Sequence, residues 1–376
     1  MTALAAGLLL ASLWLGVWSY LLYPAWIRRL AAAAPARPSA PGPPPAVEVL
    51  VSAADEETVI ADRVRDLLAQ GYPGPFAVAI GCDGCADRTA EKARAAAGAD
   101  GRVRVVEFPS RRGKASVLND LAATSAADIL VFTDANTRFD AGAVERLARA
   151  VGAPGVGAAC GRLILEAPGG AATPETVFWD RETRSKEAEG ALGVCLGANG
   201  AVYAARRSSI ERLPEDTAMD DFLIPARIAG RGEQVVFTGA AVAREDLPSE
   251  AREELSRRFR IGIGAGQVLR RERWLWSPRR PLLAFVFFSR KAARWLSPVA
   301  ALLAAAAAIG SPSLRPAGLV AMGSAVVLLF LARAGVRLSG AIGRLYYLVV
   351  INLALAAGVV AGLLGYRRPA WKPEES

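Results

Sequence analysis

The sequence predicts an α/β domain with a mostly parallel β-sheet, accompanied by helical transmembrane segments. Short β-rich runs alternate with helical patterns between residues 47 and 133, which is typical of a parallel sheet covered by helices. Hydrophobic residues fill 53% of the 376 positions, yet 22% are charged. Polar and apolar regions are therefore segregated along the chain, as in a protein with both a soluble part and a membrane part.

Each strand is predicted from a short run rich in apolar and β-branched residues, and each helix from the amphipathic pattern between two such runs. In chain order the elements are VEVLVS from 47, a helix over about 58 to 69, FAVAIG from 76, a helix over about 87 to 97, VRVVEF from 103, a helix over about 114 to 124, and ILVFT from 129. In sheets of this type ligands bind beyond the carboxyl ends of the strands. The residues that follow each run are therefore candidates for a site.

Four apolar runs are each close to the roughly 20 residues that cross a bilayer. They cover residues 3 to 23, about 292 to 309, about 317 to 332 and about 345 to 365. The first run could instead be a signal peptide. It has no basic residue ahead of it and contains Trp14, Trp18 and Tyr20, which favours a retained anchor.

These features predict five regions along the chain. They are a transmembrane anchor over 1–30, a spacer over 31–46 that is rich in proline, a soluble domain over 47–270, a basic aromatic membrane-interface segment over 271–291, and three transmembrane helices with a short tail over 292–376.

Basic residues after the first apolar run predict that the soluble domain is cytosolic. Arg28, Arg29 and Arg37 follow this run, and cytoplasmic flanks of membrane spans are enriched in arginine and lysine. We expect an integral protein of a bacterial-type inner (plasma) membrane. Four spans place the basic tail with Arg367 and Arg368 on the opposite side, so either the tail breaks this rule or the number of spans differs.

The net charge of +9 raises the question of a nucleic-acid partner. Between residues 270 and 294, however, arginines and lysines interleave with Trp274 and Trp276 just before an apolar run. Cations and tryptophans in that position suit anionic lipid headgroups. We therefore expect membrane lipids, and no nucleic acid, as partners.

The chain contains no histidine, which excludes Ser-His-Asp, Cys-His and His-ligated zinc chemistry. Of the four cysteines, Cys82 and Cys85 form a C-x-x-C pair that could indicate a redox or zinc site. No second pair lies at zinc-finger spacing, and Cys160 and Cys195 are isolated in apolar stretches typical of small buried residues, so we interpret none of the four as a redox or zinc site. Acid–base chemistry then depends on carboxylates.

Carboxylates follow three of the predicted strands. Asp55 and Glu56 come after the first strand, Asp83 after the second and Asp134 after the fourth. Any one of them alone could be a solvated loop acid, but together they indicate a site at one edge of the sheet. Oxygen ligands without nitrogen or sulfur suit Mg²⁺ or Mn²⁺ bound with phosphate oxygens.

The segments around these carboxylates read Ala54-Asp55-Glu56, Asp83-Gly84-Cys85-Ala86-Asp87-Arg88-Thr89 and Thr133-Asp134-Ala135-Asn136. They resemble motifs of membrane-bound glycosyltransferases of family 2, relatives of cellulose, hyaluronan and ceramide-glucoside synthases. The resemblance runs from about residue 46 to 300. It implies a GT-A type, Rossmann-like domain that binds a nucleotide-sugar donor.

The resemblance also implies roles in donor binding. Glu56, Asp83 and Lys114 would contact the nucleotide sugar, with Lys114 against the diphosphate. Asp134 would hold the metal, with Asn136 in place of the second acid of the family's Asp-x-Asp signature. Lys114 could instead be a solvated lysine, although it precedes a helix N-terminus, where anions bind. Asp87 is interpreted as a helix cap.

Later segments carry the implied catalytic residues. Asn199 and Gly200 belong to a glycine-rich stretch resembling the family's donor and acceptor pocket, or to a simple turn. Asp220 and Asp221 resemble the family's Glu-Asp pair, with Asp221 as catalytic base and a helix cap as its alternative role.

Arg257 and Arg260 lie where processive synthases have Gln-x-x-Arg-Trp and would bind donor phosphates. The missing tryptophan disfavours polymer synthesis. Gly262-Ile263-Gly264-Ala265-Gly266 imitates a dinucleotide fingerprint but follows no strand, so it is not interpreted as one.

The expected activity is transfer of a sugar, with UDP-sugar as the expected donor, to a lipid or glycan acceptor with inversion at the anomeric carbon. The alternatives are a polysaccharide synthase that extrudes a polymer, a membrane-anchored module that binds nucleotide sugar without turnover, and a transporter, which the scarcity of polar residues in the spans disfavours. A homo-oligomer, which could widen a channel, is also left open.

Overall fold

The computed structural model describes residues 1–34, 42–166, 174–246, 251–336 and 340–366. The chain forms two compact units. One is Ile27–Leu247, and the other combines Met1–Trp26 with Pro248–Arg367. Residues 35–41 of the predicted spacer and the basic tail from residue 367 lie outside the described residues.

Strands and helices are numbered here in chain order. The strands are β1 Val47–Ala53, β2 Phe76–Asp83, β3 Val103–Phe108, β4 Ile129–Thr133, β5 Arg138–Phe139, β6 Val156–Glu166, β7 Tyr203–Arg206 and β8 Gln234–Asp246. The helices are α1 Thr2–Val17, α2 Tyr23–Ala31, α3 Ile60–Leu68, α4 Thr89–Ala97, α5 Lys114–Ala123, α6 Ala143–Gly152, α7 Pro174–Ala191, α8 Asp220–Gly230, α9 Ala251–Arg271, α10 Pro281–Val286, α11 Ala293–Ile309, α12 Arg315–Arg333 and α13 Gly340–Leu363.

The strands form one eight-stranded sheet in the order β3-β2-β1-β4-β7-β6-β8-β5. Strands β3, β2, β1 and β4 are mutually parallel, which confirms the predicted parallel sheet. Beyond β4 the sheet is mixed, since β7 pairs antiparallel with both β4 and β6. Strand β7 thus brings the glycine-rich segment before it beside the end of β4.

The core lies on both faces of the parallel half of the sheet. Residues Val47–Val51 of β1 and all of β4 are buried without alternation, as expected for a parallel sheet with both faces covered. Ile60, Val64 and Leu67 of α3 are fully buried in this core. In register, Val51 pairs with Ile80 and with Thr133, so the residues after β1, β2 and β4 emerge at one sheet edge.

Within the described residues, four helices are long and apolar enough to cross a membrane, as the sequence predicts. They are Thr2–Ala31, which includes α1 and α2, Pro281–Ile309, which includes α10 and α11, Arg315–Arg333, and Leu345–Leu363. The second begins at Pro281, about one turn after a short 3₁₀ helix at Arg273–Trp276, and not near residue 292. Part of the predicted interface segment therefore continues directly into this apolar helix.

Helix α9 belongs to the same compact unit as these helices, so the boundary between units falls at residue 247 rather than at 270. The glycines of α9 explain why this helix packs with that unit. A Cβ on Gly262 would lie 2.4 Å from the Leu355 carbonyl oxygen, and one on Gly358 would lie 2.2 Å from the Phe259 carbonyl oxygen. The glycine run thus serves close packing of α9 on α13, as small residues do between membrane helices.

Candidate functional site

The edge of the sheet beyond β4 contains an ion pair between the predicted metal ligand and the predicted phosphate-binding lysine. Lys114 is the first residue of α5, after Gly113 with φ +93°. Its ammonium Nζ donates to Asp134 Oδ1 at 2.7 Å and lies 3.7 Å from Asp220 Oδ2. Lys114 is therefore held at the site by carboxylates and is not a solvated lysine.

Gly200 lies beside one carboxylate oxygen of Asp134 and one of Asp221. A Cβ at residue 200 would lie 3.6 Å from Asp134 Oδ2 and 3.7 Å from Asp221 Oδ2. The hydrogen atom of glycine leaves the space next to both carboxylates unfilled. The metal ligand and the catalytic base predicted from the sequence are thus brought together.

Asp220 and Asp221 both lie in the first turn of α8, where the helix dipole favours negative charge. The helix begins at Asp220, so Asp221 is inside it and not at its cap. The backbone N–H of Ala198 donates to the Asp221 carbonyl oxygen at 2.8 Å. This hydrogen bond joins the start of α8 to the glycine-rich segment.

Asp220 is buried, and a hydrogen bond from a strand of the sheet holds its side chain in place. The Tyr203 hydroxyl of β7 donates to Asp220 Oδ2 at 3.2 Å, and the Tyr203 ring stacks on Phe132 of β4 at 4.6 Å. Burial and the neighbouring Asp220 and Asp221 carboxylates hold the pKa of Tyr203 well above its usual range. Tyr203 therefore remains a neutral hydrogen-bond donor.

Asp83 holds the turn that presents Lys114. Its two carboxylate oxygens accept hydrogen bonds from the backbone N–H groups of Arg112 at 2.8 Å and Gly113 at 2.7 Å. The side chain is buried, with 3% of the residue exposed. Its contact with a nucleotide stays a prediction, and its observed partners are these amides.

Asp55, Cys85 and Asp87 bring ligand atoms within 4.8 Å of one another. Asp55 accepts from the N–H of Ala86 and pairs with Arg111 at 2.5 Å, so both of its oxygens are engaged. The Asp87 carboxylate oxygens accept hydrogen bonds from the backbone N–H groups of residues 57 and 89, and residue 89 is the first of α4. The N-cap residue of α4 is Arg88, so Asp87 binds the first helical N–H from one residue before the expected cap position. The oxygens of Asp55 and Asp87 are already engaged by protein donors.

Glu56, Asp134, Asp220 and Asp221 give this part of the edge a negative charge, which Lys114 partly offsets. Burial, followed by the charges of Asp134 and Asp87, raises the pKa of Glu56 to about 7. Burial alone would lower the pKa of Lys114, but the Asp134 and Asp220 carboxylates outweigh it and raise that pKa. Lys114 thus remains charged, and a cation or a bound proton would relieve the repulsion among the acids.

Asn199, predicted to line the donor and acceptor pocket, is buried within the fold. Its Nδ2 donates to the Gly161 carbonyl oxygen at 2.8 Å, and its Oδ1 accepts from the buried Lys186 of α7. Its backbone N–H faces Cys160 Sγ at 3.2 Å. Asn199 therefore anchors the segment whose next residue, Gly200, borders the carboxylates. Asn136, by contrast, is exposed two residues after Asp134.

Arg257 and Arg260 lie on α9, in the compact unit that contains the apolar helices. Arg257 Nε donates to Glu254 Oε2 at 2.7 Å, and the charges of neighbouring arginines contribute to a lowered pKa for the buried Glu254. Binding of donor phosphates by these arginines stays a prediction.

Arg63 of α3 is a residue that the sequence analysis missed. It is fully buried and donates to Thr133 Oγ1 at 2.5 Å, directly before Asp134. The signal was present in the sequence. Arg63 shares the spacing of Ile60 and Leu67, so a charged residue interrupts the apolar stripe of a helix expected to cover the sheet.

Comparison with known proteins agrees with this arrangement. Residues 48–211 match the family model described as Glycosyl transferase family 2. An N-acetylglucosaminyltransferase of Azorhizobium caulinodans is 28% identical over 124 residues, covering 32% of this chain and 31% of the relative. The chain thus matches about a third of that relative's length.

A solved structure is similar over nearly the whole chain. It is a mannosyltransferase from Pyrobaculum calidifontis in complex with GDP-Man and Mn²⁺, with a TM-score of 0.66 and 23% identity. The similarity covers 95% of this chain and 99% of the other. It confirms the expected GT-A type fold.

Proposed function

Because this chain belongs to glycosyltransferase family 2 through its domain at residues 48–211, we propose that it is an inverting glycosyltransferase acting at a membrane. It would move a sugar from a nucleotide-sugar donor to a lipid or glycan acceptor. The observation that carries the proposal is that Asp134 and Asp221 each bring a carboxylate oxygen within 3.7 Å of the Gly200 Cβ position, with Lys114 bonded to Asp134.

Asp221 is assigned as the general base. It would remove the proton from the acceptor hydroxyl while that oxygen forms a bond to the anomeric carbon. The bond from that carbon to the diphosphate oxygen breaks in the same displacement, which inverts the configuration. Asp221 stands in the first turn of α8, held in place through its backbone and through the neighbouring Asp220.

Lys114 and Asp134 are assigned to the leaving group. The Lys114 ammonium, which stays charged, would contact the departing diphosphate. The oxygen donors of Asp134 and Asn136 fit a hard divalent cation, and Asp134 is partly exposed with the carboxylates of Glu56 and Asp221 nearby. Bound Mg²⁺ or Mn²⁺ would supply positive charge to the diphosphate.

The donor class is proposed from chemistry and from the neighbours. We retain UDP-sugars as the expected donors, and the GDP-Man bound in the similar mannosyltransferase adds GDP-sugars to those worth testing. The four apolar helices support an acceptor reached from a membrane. We further propose a cytosolic catalytic domain at a bacterial-type inner membrane, from the basic residues that follow the first apolar helix.

The test is release of nucleotide diphosphate by detergent-purified protein from a panel of UDP- and GDP-sugars, with Mg²⁺ or Mn²⁺ and added membrane lipid extract. The proposal expects metal-dependent release from one donor and its loss in Asp221→Asn. Asp140→Asn is the matched control, since Asp140 pairs with Arg244 instead. Donor binding without release by the wild-type protein would favour a non-catalytic nucleotide-sugar-binding module.

A further inference from the structure

The segment from Thr133 to Phe139, which contains Asp134 and Asn136, is held at both ends by one side-chain pair from α3. Arg63 Nη2 donates to Thr133 Oγ1 at 2.5 Å, and Arg63 also pairs with Asp66 one turn along the helix. Asp66 Oδ2 in turn accepts the backbone N–H of Phe139 at 3.1 Å.

Two further contacts restrain the same segment. The Arg63 guanidinium lies 4.2 Å from the centroid of the Phe139 ring, a cation–π contact. Near the middle of the segment, Thr137 Oγ1 donates to Glu245 Oε1 at 2.7 Å. The Thr133 hydroxyl donates a hydrogen bond to the Ala201 carbonyl oxygen at 2.7 Å, which links the segment to the residue after Gly200.

Stability of the fold alone does not explain a buried arginine at position 63. Burial lowers its pKa to about 10, and its Nε has no hydrogen-bond partner among the described residues. A buried ion pair often stabilises a fold no better than apolar side chains of similar volume, and an unsatisfied donor adds to its cost. What Arg63 and Asp66 provide, and apolar side chains would not, is directional bonds to both ends of the Asp134 segment.

We propose that Arg63, acting with Asp66, is a positioning residue that holds Asp134 and Asn136 in the geometry needed to bind the divalent cation and the donor diphosphate. The inference rests on the proposed function, because it assigns the cation to Asp134. Arg63 lies behind the segment and acts through Thr133 and Phe139. Outer contacts of this kind typically change metal affinity by about 10- to 100-fold when removed.

The test compares Arg63→Met and Asp66→Ala with Arg104→Met. The control removes a similar ion pair, in which Arg104 Nε lies 2.7 Å from Glu48 Oε1, with Glu48 buried. Arg104 otherwise contacts Thr124 and the Leu121 carbonyl oxygen, not the Asp134 segment. Asp66 is partly exposed, so Asp66→Ala keeps the test valid where Arg63→Met fails to fold.

Two readouts separate positioning from stability. The first is the Mn²⁺ concentration for half-maximal nucleotide diphosphate release, expected to rise about 10- to 100-fold in Arg63→Met and Asp66→Ala and to stay near wild type in Arg104→Met. The second is amide hydrogen exchange over residues 134–138, expected to accelerate only in the first two variants. Arg63→Lys, which keeps the charge, should partly restore the Mn²⁺ requirement.

The outcomes distinguish the inference from the function on which it rests. No metal-dependent release by the wild-type protein overturns the proposed function and, with it, the role of the pair. Metal-dependent release with an unchanged Mn²⁺ requirement and unchanged exchange in both Arg63→Met and Asp66→Ala overturns the positioning role alone. The same shift in Arg104→Met would also overturn it, because the effect would then be general destabilisation.

Discussion

Lys114 at the start of α5 lies 2.7 Å from Asp134 at the end of β4, so two motifs 20 residues apart form one charge-neutralising pair. The pair joins the residue assigned to phosphate with the residue assigned to metal. Neither can be removed without leaving the other's charge less balanced. The expected effects of substitutions at this edge follow from that coupling.

Lys114→Met is expected to lower the rate of nucleotide diphosphate release by about 10²- to 10³-fold, because it removes a positive charge aimed at the leaving group. Asp134→Ala should abolish turnover, since it also removes the cation ligand. Initial rates at saturating donor, with circular dichroism to verify folding, provide the measurement. Near-normal rates in either variant would show that its assignment is wrong.

Gly200→Ala tests whether the space next to Asp134 and Asp221 must stay open. The added Cβ would meet its nearest atoms at 3.6 to 3.8 Å, which is ordinary van der Waals contact, so the melting temperature should stay near that of wild type. The methyl group would nevertheless fill the space next to both carboxylates. We expect kcat/KM for the donor to fall by up to about 10²-fold, the size expected for a substrate displaced by about 1 Å. An unchanged kcat/KM would mean that substrate does not enter this space.

Glu56 is expected to make stability depend on pH. Its pKa in the folded protein, about 7, lies above the ordinary value of 4.5, so the folded state binds more protons between these values. The free energy of unfolding should therefore decrease as the pH rises from about 4.5 to about 7. Melting temperatures across this range should show a flatter dependence in Glu56→Gln. The same slope in both proteins would contradict the assignment.

Gly358→Val should destabilise the unit that contains the apolar helices. Its side chain would be forced against the Phe259 carbonyl oxygen, where even a Cβ lies at 2.2 Å. Overpacking of this kind costs about 1 to 3 kcal/mol or more. Thermal unfolding in detergent is the measurement, and Gly323→Val on α12, with no atom within 4 Å of its Cβ position, is the control. Equal melting temperatures for the two variants would refute close packing at Gly358.

Cys85 is expected to be the most reactive of the four cysteines. A hydrogen bond from the Cys82 thiol, together with backbone contacts, lowers the pKa of Cys85 to about 7 despite burial, and Cys85 is partly exposed. Cys82, Cys160 and Cys195 are buried. Brief alkylation at pH 7.5 followed by peptide mass spectrometry should modify mainly Cys85. Preferential modification of a buried cysteine would contradict the prediction.

The elements up to β4 follow the sequence closely because each is encoded by a local pattern. For example, the run predicted from residue 103 is strand β3, and the helix predicted over about 114 to 124 is α5. The antiparallel insertion of β7 between β4 and β6 depends on pairing between distant segments. No local periodicity specifies such pairing, so the second half of the sheet could not be predicted from it.

The candidate site shows the same division. Resemblance to the family motifs identified Lys114, Asp134 and Asp221. They come together because Asp134 follows β4 while Lys114 and Asp221 lie in the first turns of α5 and α8 beside it. The burial of Asn199 and the amide partners of Asp83 could not be predicted, since both depend on segments that fold beside them. Arg63 was visible as a charge on an apolar face, but only its contacts reveal the segment that it holds.

The two backbone amides at the entrance to α5 are already taken by Asp83, which has a consequence for donor recognition. Many phosphate sites bind through such amides, whose dipoles are fixed whatever the ionic strength. Under the proposed function, this protein would instead attract phosphate through charge, that of the Lys114 ammonium, which is partly open to solvent, and that of the bound cation. Its affinity for the donor should then weaken as salt is added, so the local ionic strength would determine the fraction of protein with donor bound.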